Sequence, residues 1–145
     1  MTWRSIYAGI AGLALWWFLF YALGIGVGLL WPAYREAARV MFQERSFDLF
    51  TIPMLFANLI VFFLAGNAAG RVSTAVARGR GAALVLSALL LVYAVTEHYW
   101  LLWGRLPSWY NLIVPLVIAG SVWHGSRVTA PHEPGLEAEG SINAG

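Results

Sequence analysis

The chain has 145 residues, of which 60% are hydrophobic and 11% charged, with a formal net charge of +2 and no cysteine. Charged residues make up about a quarter of an ordinary soluble domain, and one domain of this length cannot hide so much apolar surface from water, which excludes a free-standing soluble protein. The missing cysteine excludes a disulfide framework, a thiolate zinc site, a cysteine-held iron–sulfur cluster and thiol catalysis.

The nine basic residues are all arginine, and three of the seven acids, Glu133, Glu137 and Glu139, fall near the C-terminus. The arginines flank apolar stretches one at a time. That placement reads as membrane topology and lipid headgroup contact, not as a nucleic-acid surface.

Gaps between charges divide the chain into elements. Ser5–Tyr34 is a 30-residue run with no ionised group, apolar from Ile6 to Trp31. It is far longer than a signal-peptide core, so the sequence predicts a retained anchor helix over 6–31. Residues 32–48 begin with Pro32 and set Ala33, Ala37, Val40, Met41 and Glu44 at helical spacing, with Arg35, Arg39 and Arg45 among them. This pattern predicts a short helix on the membrane surface with its arginines toward headgroups. A second span is expected over 49–70, followed by a basic loop, 71–80, carrying Arg71, Arg78 and Arg80 as headgroup contacts. The third span, 81–104, is interrupted only by Glu97 and His98, and a turn around Pro107 leads into the fourth, 107–125. A hydrocarbon core of about 30 Å takes roughly 20 helical residues, so all four runs suffice. From Thr129 the composition turns to Pro, Gly and Glu, which predicts a flexible tail over 129–145.

The expected fold is therefore an all-α membrane protein: a four-transmembrane-helix bundle over 1–128, with a short interfacial helix between helices 1 and 2. An even number of spans puts both termini on one side. The acid-free 71–80 segment points to the cytoplasm for that side. Trp31, Tyr34, Tyr99, Trp100, Trp103, Trp109 and Tyr110 then cluster at the outer face. Indole and phenol rings prefer the headgroup zone, so interfacial anchoring explains the patch; a ligand or partner surface is the alternative.

Polar groups inside apolar spans carry most of the functional information, because the bilayer makes them costly. Asn58 lies near the middle of the second span, Tyr93 near the middle of the third, and Glu97 four residues later on the same face. Tyr21 of the first span falls at a similar depth, so one cluster of Asn58, Tyr93, Glu97 and Tyr21 is geometrically available. Glu97 reads either as a proton or cation site or as a helix–helix hydrogen-bonder with Asn58 as partner. At α-helical spacing His98 points away from Glu97, toward Ala94, Val95, Leu101 and Leu102. A small residue four before a histidine and aromatics after it also suit a haem or bacteriochlorophyll ligand. The second axial ligand would have to be His124, at the opposite membrane face. Beyond that pigment option no cofactor is expected, and no metal site. Small residues at Gly24/Gly28, Gly66/Gly70 and Ala83/Ser87 predict close helix approach, and Pro53 and Pro115 mark helix starts or kinks. Nucleophile-elbow, zinc-binding and phosphate-loop motifs are missing, which argues against an enzyme.

The stretch from His98 to Pro115 (HYWLLWGRLPSWYNLIVP) and the second-span end Ala65–Arg71 (AGNAAGR) are similar to segments of small four-span bacterial membrane proteins of unknown function. In those the turn commonly reads Trp-Tyr-His. Here it is Trp109-Tyr110-Asn111, so a role resting on that histidine does not carry over. The resemblance implies a bacterial inner membrane and no particular activity.

The first reading is a non-catalytic subunit of a larger membrane complex of respiratory or photosynthetic type, in contact with lipids and other transmembrane subunits. The alternatives are a small homo-oligomeric transporter or channel using Glu97 and Asn58, and a pigment- or haem-binding protein using His98.

Overall fold

The computed structural model describes residues 3–129. Its helices are α1 (Trp3–Leu30), α2 (Pro32–Glu44), α3 (Ile52–Ala77), α4 (Gly81–Val95) and α5 (Ser108–Thr129), and α4 continues into a π-helical turn over Thr96–Leu101. Four segments are long and apolar enough to cross a bilayer: Trp3–Leu30, Ile52–Ala77, Gly81–Trp100 and Ser108–Thr129. The chain is an all-α four-helix bundle and a multi-pass membrane protein, with α2 as a short fifth helix at one end. The expected tail over 129–145 lies outside the described residues beyond Thr129.

Local chemistry sets the boundaries. Pro32 opens α2 at a position where its missing N–H costs nothing, and it pushes Trp31 into extended backbone (φ −132°, ψ 91°), so α1 stops there. Two arginines in left-handed backbone close helices: Arg45 (φ 52°) ends α2 and Arg78 (φ 55°) ends α3. At the α3 end, Arg78 N–H donates to Ala75 O and Gly79 N–H to Thr74 O, which uses carbonyls the helix leaves over. Among the described residues Gly104 (φ 82°) takes the one positive-φ glycine position, in the turn between the π-helical segment and α5.

Three expected boundaries need correction. The second helix does not stop at Gly70 but runs to Ala77, so Arg71 is helical and the basic connection shrinks to residues 78–80. Nothing in VSTAVA breaks a helix, and a helix can outrun the hydrocarbon core. The third helix is not α-helical to 104, since the ladder changes to π geometry after Val95. The interfacial helix is rolled relative to the predicted face: Tyr34 and Ala37 are buried while Ala33 and Glu44 are exposed. Tyr34 carries a large ring and a hydroxyl that finds a partner inside the bundle, and this outweighs the small methyl of Ala33.

α3 is the hub, packing against α5, α1 and α4. Its approach to α5 is close, because a Cβ at Gly66 would strike Ser121, at Gly70 the Val122 carbonyl, and at Gly125 the Asn67 carbonyl. The Gly66/Gly70 pair is thus a true helix contact. Gly24 is not: a Cβ there meets nothing within 4 Å, and Gly28 faces only Arg35. The core centres on Trp16, which is fully buried, stacked on Phe20 (5.4 Å) and Phe62 (5.9 Å) and edge-on to Tyr93 (5.9 Å). Leu86, Leu90, Val114, Ile118 and Val122 complete it. A smaller cluster of Tyr34, Ala37 and Met54 ties α2 to the bundle.

The two ends differ. At the end holding the N-terminus, Arg4 donates to Val76 O (2.9 and 3.1 Å), and Arg71, Arg78 and Arg80 are exposed. The other end is covered by α2 and the 96–107 connection.

Candidate functional site

Beneath α2 the bundle is hollow. A cavity of about 750 Å³ is lined by α1 from Trp17 to Leu29, by α2, by α3 at Leu55, Asn58 and Phe62, by Tyr93 and the π-helical turn, and by Tyr110 and Ile118 of α5. It exists for two reasons. Gly24 and Gly28 give α1 no side-chain volume on that face, and α2 packs chiefly on the end of α1, leaving a gap between α2 and the π-helical segment. The Trp16–Phe20–Phe62 stack lies under it: Phe20 and Phe62 line the cavity, and Trp16 behind them is fully buried. The space lies toward the α2 end of the bundle.

The expected polar residues meet here in a different arrangement from the one their spacing implies. Asn58, Tyr93, Glu97 and Tyr21 all line the cavity. Asn58 does not pair with Glu97; its Oδ1 accepts a hydrogen bond from the Tyr34 hydroxyl, and Tyr110 of α5 lines the same cavity. Burial pushes the Tyr34 phenol above its ordinary value, so it stays protonated and donating. Tyr93 lies four residues before Glu97, and both line the cavity. Tyr21 lies at the rim, half-exposed and stacked on Trp17 at 5.6 Å.

His98 differs most from expectation. It and Glu97 both line the cavity, together with Ala94 and Leu102, and the π-helical turn that carries them is closed by Leu102 N–H to Glu97 O (2.9 Å). The ring is buried, with Nδ1 at 3.0 Å from Asn111 Oδ1 and Tyr110 beside it at 5.8 Å. Asn111 Nδ2 donates to Leu106 O (3.4 Å), which turns its Oδ1 toward the histidine. The proton therefore sits on Nδ1, and Nε2 is left as an unprotonated acceptor. His124 is not near it; that ring pairs with Asn67 (2.7 Å) at the other end of α5.

Three arginines also line the cavity: Arg35 and Arg45 from the two ends of α2, and Arg105 from the turn after the π-helical segment. Arg39, by contrast, faces away and is committed to Glu36 (2.7 and 2.9 Å) and Gln43. That contact holds the Glu36 carboxyl below its usual range.

The aromatic patch does not form one surface. Trp100 and Trp103 are exposed, with Tyr99 stacked on Trp103 at 5.1 Å. Trp31 packs beside Tyr34, Trp109 lies on Phe56 (5.5 Å), and Tyr110 is buried in the cavity wall. Strict α-helical projection also overlooks Tyr34, Asn111, Arg35, Arg45 and Arg105 as site residues. A signal for Asn111 exists: an amide inside an apolar span needs a partner as much as Asn58 does.

The fold and this cavity define a four-span integral membrane protein with a largely apolar pocket, carrying a few polar side chains, at one end. Protein-family models, curated proteins and solved structures contain no match to the chain.

Proposed function

We propose that this chain is a non-catalytic integral membrane protein that holds one amphipathic small molecule inside its bundle. The cavity supports the reading. About 750 Å³ lies within the usual 300–1,000 Å³ range of ligand sites, and apolar and aromatic walls with a few converging polar groups are their usual make-up. Holding such a molecule is a role that an accessory subunit of a larger membrane complex performs, and the exposed Trp100 and Trp103 give that subunit a place to meet lipid or partner helices. Conduction fits less well, since the Trp16 stack closes the path. In this reading the protein sits in a bacterial inner membrane with both termini cytoplasmic, and the pocket lies toward the outer face.

A second reading has its own observation: His98, with its Nδ1 proton held by Asn111, presents a basic Nε2 to the cavity, as a haem or chlorin ligand must. Mild-detergent purification followed by native mass spectrometry and an absorption spectrum tests both. A single retained adduct on the wild type, lost in Gly24→Phe, is the expected result, because a Cβ at Gly24 meets no neighbour and the ring beyond it takes up cavity space. A Soret-type band lost in His98→Leu would select the second reading. No adduct under any mild extraction, with Gly24→Phe indistinguishable from wild type, would overturn the first.

A further inference from the structure

We propose that the occupant of the cavity is a membrane lipid with an anionic phosphate head group, held at its head by Arg35, Arg45 and Arg105; this rests on the cavity being a ligand site. The charge along the wall is unbalanced, with three guanidinium groups against the single carboxylate of Glu97. Among the described residues the one ion pair is Arg39–Glu36, formed on the face of α2 turned away from the cavity. The arginine that does not line the pocket is neutralised, and the three that do have no carboxylate partner. They come from three separate places in the chain, the first turn of α2, the residue that caps its C-terminus and the 102–107 turn, yet all three line one cavity. Guanidinium forks bind phosphate oxygens through paired charge-assisted hydrogen bonds, and three forks suit a phosphate's several oxygens better than a carboxylate's two.

The rest of the wall argues for a lipid over a free anion. Past the arginines the lining includes Trp17, Phe20, Ile25, Leu55 and Phe62, an apolar surface suited to an acyl chain and not to inorganic phosphate. The pocket also lies at the end of the spans, where headgroups reside. Chain inside and head at the mouth is the orientation in which a lipid already stands in the leaflet.

The test uses the full chain in a neutral detergent, with thermal unfolding and native mass spectrometry after addition of phosphatidylglycerol, phosphatidylcholine or inorganic phosphate. Phosphatidylglycerol is expected to raise Tm and be retained one-to-one, phosphatidylcholine to do so weakly, and phosphate alone to do nothing. Each Arg→Gln change at 35, 45 or 105 should weaken phosphatidylglycerol retention by roughly fivefold, the worth of a basic side chain near an anionic surface, while Arg39→Gln leaves it unchanged. Equal retention of both lipids, insensitive to the three substitutions but lost in Gly24→Phe, would overturn the head-group assignment and leave the ligand site intact. Retention of neither lipid, with Gly24→Phe without effect, would remove the ligand site as well. Protection by phosphate alone would make this a free-anion site and overturn the lipid.

Discussion

At the scale of single residues, the site is built from buried polar pairs, each joining two segments. His98 and Asn111 join the π-helical turn to α5, and Tyr34 and Asn58 join α2 to α3. Removing one partner strands the other, which costs about 1–3 kcal/mol for a buried donor. Asn111→Leu is therefore expected to lower stability by that amount, measured as Tm in detergent, and His98→Leu combined with it should restore part of the loss. Glu97 lines the cavity with no hydrogen bond to another helix among the described residues. Glu97→Gln keeps the shape and an acceptor and should unfold within about 0.6 kcal/mol of wild type, the average worth of a hydrogen bond between membrane helices; a larger loss would show that the carboxyl group itself holds the turn. For the exposed Glu36–Arg39 pair the sign is fixed by the lowered Glu36 value. Its small contribution is present at neutral pH and fades as pH falls through the depressed carboxyl range, so an acid titration of Arg39→Gln should meet the wild-type curve at low pH.

At the scale of elements, the α3–α5 contact and the cavity face of α1 use glycine in opposite ways. Gly70 and Gly125 are pressed against backbone carbonyls that cannot move aside, whereas Gly24 and Gly120 face open space. Gly70→Ala and Gly125→Ala should each cost about 1–3 kcal/mol through overpacking. Gly120→Ala should be neutral or stabilise by up to about 1 kcal/mol through helix propensity. Parallel unfolding measurements on the three variants check this; equal effects would mean that the α3–α5 approach is looser than described. The motif G-x-x-x-G occurs in both α1 and α3 and looks the same in both. Its meaning differs because only α3 has α5 opposite it.

At the scale of the whole molecule, α2 and the N-terminal end lie on opposite faces of a four-span bundle, so topology is directly measurable. Reporter fusions after Gly79 are expected to read cytoplasmic and fusions near Ala38 external; the reverse would invert the arginine-based orientation and leave the span count standing. The same scale separates what was legible from what was not. Charge-free runs of about 20 residues revealed the four helices, and Pro32 and Pro107 their junctions, because the bilayer leaves a chain of this composition no other way to satisfy its backbone. The helix ends were less legible. α3 outruns its apolar run to Ala77 because nothing before Gly79 breaks it, and Arg71 tolerates a helix that has already left the hydrocarbon.

For the site, the sequence by itself determined which groups must find partners: Asn58, Tyr93, Glu97 and His98 are polar atoms in apolar spans, and that cost is a property of residue type and depth. Only the tertiary structure decided who the partners are. The packing of α5 against the π-helical turn gives His98 the Asn111 amide, and the packing of α2 gives Asn58 the Tyr34 hydroxyl in place of Glu97. The cavity is likewise a tertiary product, since it is the volume left where Gly24 and Gly28 of α1 face a helix held away from the π-helical turn. An 3.6-residue period projects side chains along one straight helix; it carries no information about a local change of pitch or about space enclosed between elements distant in sequence.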